Sequence, residues 1–246
     1  MSLIIHKEST AAEAGVQAAA RTVSRIRQQA ERLPVISIVF ATGQSQLETL
    51  RALVRVPHLP WNRVVGFHMD EYLGISPEHP ASFGRYLREE LVDRVRFREF
   101  HYVDGNAPDP WAFCKQYAAR LREHAPQLCL LGIGENGHLA FNDPDEADFA
   151  DPEDVKIVKL DGACRQQQVN EGWFASLSEV PAEAITMTIP ALMRIPELIA
   201  SVPGERKAAI VQRTLTEPIS PELPATILRQ HPSVHVYLDA ASGARL

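Results

Sequence analysis

Short apolar runs alternate along this chain with segments of helical periodicity, and this alternation limits the folds that the chain can adopt. The first helical segment follows a capping-box pair, Thr10 and Glu13, and ends at Pro34; the nearly continuous apolar run 35–40 comes directly after it. Similar runs stand at 63–69, 101–103, 128–133, 155–160, 185–189, 198–202 and 234–238. Strands that alternate with helices favour a parallel sheet that is covered on both faces. The sequence therefore predicts a three-layer α/β/α fold with a doubly wound, mostly parallel, Rossmann-like sheet.

The length and charge of the chain narrow the class of protein further. Its 246 residues, 45% hydrophobic and 23% charged, fit one α/β domain over residues 1–246. The formal net charge of −6 argues against nucleic-acid binding. The longest apolar run, Leu33–Ala41, has about half the length of a membrane span. The N-terminus has no signal-peptide pattern, and the three cysteines have no metal-ligand spacing. We therefore expect a cytoplasmic protein with reduced cysteines and neither a nucleic-acid nor a membrane partner.

Two turns that come after predicted strands have the composition of anion sites. In the first, Thr42, Gly43, Gln44 and Ser45 lead from the strand at 35–40 into a helix. The free N–H groups at a helix start attract anions, and the glycine allows a tight backbone turn. The alternative is an ordinary turn in which Ser45 is the N-cap of the helix.

The second turn, 203–207, also opens a helix, and it carries Lys207 in the first helical turn. A cation is disfavoured there unless an anion shares the site; the alternative is a solvated surface lysine. Because ligands of such sheets bind outside the carboxyl ends of the strands, we expect the two turns to form one phosphate site.

Two adjacent carboxylates, Asp70 and Glu71, stand where the strand at 63–69 ends. Most acidic pairs are solvated loop residues, but these are flanked by the apolar Phe67, Met69 and Tyr72. Buried carboxylates are costly unless they are paired or used, which favours a cleft and a general base for this pair.

The stretch 132–144 is rich in glycine, and three of its glycines match the dinucleotide fingerprint G-x-G-x-x-G. That fingerprint requires a helix directly afterwards, whereas here an acidic, turn-forming segment comes next. The loop instead presents Asn136, His138 and Asp143 together. Histidine is suited to proton transfer near neutral pH, and a nearby carboxylate can orient its ring, which predicts a catalytic loop.

Several of these motifs resemble the glucosamine-6-phosphate deaminase/isomerase family, which shares its fold with the 6-phosphogluconolactonases. They are Thr42-Gly43, Met69-Asp70-Glu71-Tyr72 with Glu78-His79-Pro80 downstream, and Gly-Glu-Asn-Gly-His-Leu-Ala-Phe-Asn-Asp-Pro at 134–144. The motifs occur in the family's order, and the resemblance covers about residues 9–240.

The resemblance implies a division of catalytic labour. Asp70 would carry a proton between C2 and C1 of the opened sugar, and His138 would catalyse ring opening with Asn136 and Asp143 as its supporting groups. Lys207 matches the family's phosphate lysine, and Arg165 is the best match to its phosphate arginine. The residues expected to bind substrate or phosphate are Thr42, Gly43, Gln44, Ser45, Glu71, Gly137, Arg165 and Lys207.

The sequence departs from the family pattern at two of these positions. Asp143 stands where the best-known deaminases have Glu, so its contact with His138 is expected to need a water; Gln44 stands where they usually have Ser. These departures leave the amino sugar open, with galactosamine 6-phosphate compatible.

Other activities remain as alternatives. One is hydrolysis of a sugar-phosphate lactone, although lactonases usually continue the Gly-His segment with a Thr-Ala-Ser-Leu-Phe type run. Another is a sugar-phosphate sensor without activity. We expect a small sugar phosphate as partner, no cofactor and no metal; the sequence leaves a homo-oligomer open.

Overall fold

The computed structural model describes residues 3–246, which form two β-sheets and the helices that cover them. In chain order, the strands are β1 (Leu3–Lys7), β2 (Ile36–Phe40), β3 (Val64–His68), β4 (Asp70–Tyr72), β5 (Glu99–His101), β6 (Leu128–Leu131), β7 (Val155–Lys159), β8 (Glu183–Met187), β9 (Glu197–Ser201) and β10 (Val234–Leu238). Seven of them form a parallel sheet in the order β1-β10-β9-β6-β2-β3-β5.

Helices cover both faces of this sheet. They are α1 (Ala11–Ala30), α2 (Gln44–Val54), α3 (Phe83–Glu90), α4 (Pro110–His124), α5 (Gly162–Asn170), α6 (Ile189–Met193) and α7 (Ala208–Thr216). Every residue of β2 is buried, and its side chains alternate between two apolar clusters. Ile36, Ile38 and Phe40 join the cluster of α1, α2 and α3, whereas Val39 joins that of α4, α6 and α7. The predicted three-layer α/β class in a single domain is confirmed.

Strands β4, β8 and β7 form a separate, three-stranded antiparallel sheet. The alternation of strands and helices predicted one mostly parallel sheet, and for the runs at 155–160 and 185–189 this was wrong. The composition of β7 gives a physical reason, because Lys156 is half-buried and Lys159 is exposed. A strand with such residues does not fit the interior of a sheet covered on both faces.

The order of the strands leaves a crevice between β2 and β6. From β2 the chain proceeds outward to β3 and β5, and it then returns to the other side of β2 as β6. The loops after β2 and β6 therefore diverge at the carboxyl edge of the sheet, which is where ligands bind in folds of this kind. No helix within residues 3–246 is both long and apolar enough to cross a membrane.

Candidate active site

A cavity of about 480 Å³ opens at this crevice, and it is built from loops that are distant in the sequence. Its lining includes residues 41–45 after β2, 69 and 70 after β3, 132–135 and 138 after β6, 167, 168 and 171 near α5, 203–207 after β9, and 239 after β10. Both predicted anion turns therefore meet at one site, together with Asp70 and the loop that carries His138.

The turn before α2 presents backbone donors to this cavity. Gly43 is the N-cap with φ of 88°, a left-handed conformation that favours glycine. No side chain caps the helix, so Ser45 lies inside the first turn and is not the N-cap. Tyr86 anchors the turn, because its hydroxyl donates to the Gly43 carbonyl at 3.0 Å. The uncapped amides and the helix dipole favour an anion here.

The turn after β9 places a buried lysine against the same cavity. Gly204 has φ of 100° and begins a short 3-10 helix that ends at Lys207. The Lys207 side chain has no hydrogen bond or ion pair to another described residue, and burial lowers its pKa against the opposing charges of Glu171 and Glu135. An anion in the cavity would supply the counter-charge that this ammonium lacks.

Asp239 and Arg206 hold this turn in place. The Gly204 N–H donates to both carboxylate oxygens of Asp239 at 3.1 Å. Burial by itself would raise the pKa of Asp239, but hydrogen bonds from Ser242 and Gly204 hold it below its usual value. Arg206 Nε lies 3.4 Å from Glu135 Oε1, which links the turn to the glycine-rich loop.

Asp70 lies deep in the cavity, at the junction of the two sheets. It begins β4 directly after Met69, whose N–H donates to the Phe40 carbonyl and whose carbonyl accepts from Met187. The side chain is buried, and burial together with the charge of Glu71 raises the pKa of Asp70 to about 8. A carboxyl group of this kind titrates near neutral pH, as a general base requires.

Glu71 is not brought to the cavity, although it was expected among the substrate-binding residues. Its carboxylate accepts hydrogen bonds from Ser82 Oγ at 2.8 Å, from the N–H groups of Phe83 and Gly84 at 3.1 and 2.8 Å, and from the Tyr72 N–H at 3.0 Å. Burial raises the pKa of Glu71 while these hydrogen bonds oppose it. Four donors suit an ionised carboxylate. Glu71 therefore holds the start of α3, and its charge acts on the neighbouring Asp70.

The replacement Asp70→Asn is expected to stabilise the fold, and more so as the pH rises. The pKa of Asp70 is about 8 in the folded protein, against 3.8 for an unperturbed aspartate, so between these values the folded protein holds a proton that the unfolded chain releases. The wild type thus loses stability as pH rises through this window, whereas the variant has no such group. Between about pH 5 and about pH 8, the free energy of unfolding of the variant should rise relative to that of the wild type by roughly 2 kcal/mol or more. This corresponds to about 4–8 °C in Tm. If the Tm of the wild type and the Tm of Asp70→Asn changed equally with pH, this prediction would be contradicted.

His138 and Asp143 form a pair at the cavity wall. His138 Nδ1 lies 3.0 Å from Asp143 Oδ1, so the contact is direct and the water expected between them is not needed. Burial would raise the pKa of Asp143, but the close contact with His138 and hydrogen bonds from Asn136 and the Asp161 N–H lower it overall. An ionised Asp143 is an acceptor, which assigns the proton of the neutral imidazole to Nδ1 and leaves the Nε2 lone pair free.

Asn136 and Gly137 lie behind this pair and do not line the cavity. Asn136 Nδ2 donates to Asp143 Oδ1 at 2.9 Å and to Asp161 Oδ2 at 3.0 Å, while Asn136 Oδ1 accepts from the His138 N–H at 3.1 Å. Gly137 has φ of 90°, and a Cβ there would lie 2.4 Å from the Leu223 side chain. Asn136 is thus a neighbour of the pair, as the resemblance implied, whereas Gly137 has a packing role.

The glycine fingerprint has a structural explanation. A Cβ on Gly134 would lie 2.3 Å from the ring of His138, so this glycine lets the imidazole rest against the backbone. A Cβ on Gly132 would lie 2.8 Å from Ser45 Oγ, which lets the β6 loop approach the α2 turn. No helix opens directly after the loop, as expected for a stretch that does not bind a dinucleotide.

Helix α5 closes one side of the cavity with side chains that were not predicted from the sequence. Gln167, Gln168 and Glu171 line it, and Gln167 Nε2 donates to Glu171 Oε1 at 2.8 Å. Arg165, the expected phosphate arginine, does not line the cavity, because its guanidinium donates to the carbonyls of Leu177 and Val180 at 2.7 and 2.8 Å. Among the described residues, the cations that line the cavity are Lys207 and its neighbour Arg206.

Comparison with known proteins places these features in a family context. The family model described as glucosamine-6-phosphate isomerases/6-phosphogluconolactonase matches residues 9–237. A glucosamine-6-phosphate deaminase of Exiguobacterium sp. is 39% identical over 206 residues, which cover 84% of this chain and 79% of the relative. Another, of Rhodopirellula baltica, is 34% identical over 235 residues and covers 93% of this chain and 92% of that one.

Solved structures have the same fold. The structure of a monomeric glucosamine-6-phosphate deaminase has a TM-score of 0.90 at 27% identity and covers 99% of this chain and 100% of that one. A 6-phosphogluconolactonase from Trypanosoma brucei has a TM-score of 0.81 at 18% identity and covers 100% of this chain and 99% of that one. At 18% identity, the comparison with the lactonase shows a shared fold and nothing further.

Proposed function

This chain belongs to the family of glucosamine-6-phosphate isomerases and 6-phosphogluconolactonases, and we propose that it converts a hexosamine 6-phosphate, glucosamine 6-phosphate first among them, to a ketose 6-phosphate and ammonia. The observation that carries the proposal is the position of Asp70. This buried carboxyl group, with a pKa of about 8, shares one cavity with the anion-competent turns and with His138.

The phosphate group anchors one end of the sugar. The uncapped amides of the α2 turn and the Lys207 ammonium provide hydrogen-bond donors and positive charge on two walls of the cavity. Fixing the phosphate holds C1 and C2 of the sugar at a defined distance from Asp70, and this lowers the entropic part of the activation barrier. Thr42 and Ser45 line the same wall and offer hydroxyl donors.

His138 and Asp70 then act in sequence. His138, oriented by Asp143, moves the proton that opens the pyranose ring. Asp70, in its ionised form, removes the proton from C2, and the electron pair forms the C1=C2 bond of an enolamine. The C1 oxygen takes up a proton from water, which regains one from the nitrogen in the next step. Reprotonation at C1 from Asp70 gives an imine at C2, and water hydrolyses this imine to the ketone with release of ammonia. Each of these steps is a proton transfer or a hydrolysis, which the residues of this site and water can perform.

An ammonia-release assay separates the proposal from its alternatives. The protein should release ammonia and form a ketose phosphate from glucosamine 6-phosphate or galactosamine 6-phosphate, and the better of the two identifies the amino sugar. Should 6-phosphogluconolactone alone be hydrolysed above background, the deaminase proposal would fall and the lactonase alternative would replace it. Failure of every substrate to react while they still bind would favour the sensor.

Replacement of Lys207 tests the phosphate site. Lys207→Met keeps most of the buried aliphatic stem and removes the charge. We expect KM for the phosphorylated sugar to rise by roughly 10- to 150-fold with a much smaller change in kcat, since losing one charged hydrogen bond costs about 1.5–3 kcal/mol. Arg206→Met is the matched control, because Arg206 is exposed and already paired with Glu135, and its effect on KM should be clearly smaller. Turnover of unphosphorylated glucosamine at a similar kcat/KM would contradict the phosphate site.

A further inference from the structure

A second cluster of metal-ligating side chains lies at the edge of the main sheet. Glu99 and His101 belong to the edge strand β5, and His124 is the last residue of α4. A carboxylate oxygen of the first and one ring nitrogen of each histidine all lie within 4.8 Å of one another. His101 Nε2 lies 3.5 Å from Glu99 Oε1. None of the three residues lines the cavity described above.

One ring nitrogen of His101, Nε2, lacks a hydrogen-bond partner among the described residues. The residue is 8% exposed, and its Nε2 atom is buried. The 3.5 Å approach of Glu99 is longer than a hydrogen bond of useful strength. Buried polar atoms in native proteins almost always have a partner, and an ion between the three side chains would be one.

The surrounding residues hold the two imidazoles close together. The Phe67 ring lies 4.7 Å from the ring of His101 and 5.5 Å from that of His124, and the two imidazoles are 5.3 Å apart. Tyr117 fixes the backbone of β5, because its hydroxyl donates to the His101 carbonyl at 3.0 Å. The ligand atoms of the histidines therefore need little rearrangement to share one ion.

The electrostatic environment also suits a cation. The cluster lies at the C-terminus of α4, where the helix dipole is negative. Two carboxylates, those of Glu99 and Glu123, and one guanidinium, that of Arg120, act electrostatically on His101. The charge of Arg120 opposes a cation, and the carboxylates of Glu99 and Glu123 offset it.

We propose that Glu99, His101 and His124 bind one divalent first-row transition-metal ion of the Zn²⁺ class. Two imidazole nitrogens and one carboxylate oxygen are ligands that such ions prefer, and a separation of 3.5 Å suits two ligands of one tetrahedral ion. Water completes the coordination, because the Glu99 side chain is more than half exposed. The ion would tie the edge strand β5 to the end of α4, which is a structural role.

Calorimetric titration of the chelator-treated full chain with Zn²⁺ tests the proposal, with Co²⁺ absorption as a second readout of the coordination. The wild type should bind one ion. His124→Gln and Glu99→Gln alter partly or largely exposed side chains, so they should keep the fold and weaken binding by about tenfold or more. Zn²⁺ should also raise the Tm of the wild type and not that of His124→Gln, because binding to the folded state stabilises it.

A control variant separates this site from the other group of metal-ligating side chains, His138, Asp143 and Cys164. Cys164→Ser removes the thiol from that group and should leave the Zn²⁺ affinity of the edge cluster unchanged. Loss of binding in Cys164→Ser with binding retained in His124→Gln would place the ion at the other group and overturn the proposal. Absence of both a heat of binding and a Co²⁺ band in the wild type would overturn it as well.

Discussion

Asp70→Asn should lower deamination of the hexosamine phosphate by about 10²- to 10⁴-fold, because it removes the base and keeps the size and hydrogen bonding of the side chain. Exchange of the C1 and C2 protons with solvent should fall by a similar factor. Binding of an open-chain substrate analogue should survive, since the phosphate contacts lie on other walls of the cavity. Deuterium incorporation at C1, monitored by NMR, measures the exchange.

The pH dependence of the wild type belongs to the same prediction. Burial and the charge of Glu71 raise the pKa of Asp70 to about 8, so Asp70 is mostly protonated below that pH. Because the base must be ionised, kcat/KM should rise with pH and level off above about 8. The residual kcat/KM of Asp70→Asn should not show this rise with pH. If Asp70→Asn exchanged its C1 proton at the wild-type rate, another group would have to be the carbon base.

His138→Gln should have an effect of comparable size on the cyclic sugar, because ring opening is the step assigned to this residue. We expect turnover of the cyclic substrate to fall by about 10²- to 10⁴-fold. Asp143→Asn should lower the same turnover, since a neutral amide keeps an oxygen toward Nδ1 but does not stabilise the imidazolium that forms when His138 takes up a proton.

An open-chain ketose phosphate provides the control for this prediction. Offered together with ammonia in the reverse direction, it bypasses the first ring opening, and His138→Gln should still exchange its C1 proton through Asp70. Equal losses of exchange and of forward turnover in His138→Gln would show that His138 acts at the carbon step, contrary to its assigned role.

Local sequence rules predicted much of the main sheet and its helices. Thr10 and Glu13 form the expected capping box at the start of α1, and the apolar runs at 35–40, 128–133 and 198–202 are buried parallel strands. These signals are strong because capping and apolar burial depend on nearby residues. The antiparallel sheet was not predicted, because the pairing of β4 with β8 depends on residues that are distant in the chain, such as Asp70 and Thr186.

In the candidate site, too, features that depend on nearby residues were predicted, whereas contacts between distant residues were not. Thr42, Asp70, His138 and Lys207 were found because each stands shortly after a predicted strand, and the topology brings them to one cavity. Glu71 and Arg165 were expected at the cavity, but local hydrogen bonds hold them elsewhere.

The remaining cavity residues had weaker signals in the sequence. Gln167, Gln168 and Glu171 lie on or just after a helix that was not predicted, and no spacing indicated their approach. For Arg206, its place beside Lys207 in the turn after β9 was an available signal.

Conversion of glucosamine 6-phosphate in D₂O, monitored by NMR together with an ammonia assay, tests the central claim most directly. We predict that ammonia and a ketose 6-phosphate form in equal amounts and that deuterium enters C1 of the product, because Asp70 exchanges its proton with solvent between C2 and C1. Unchanged glucosamine and galactosamine phosphates, with no deuterium at either carbon and no ammonia, would contradict it.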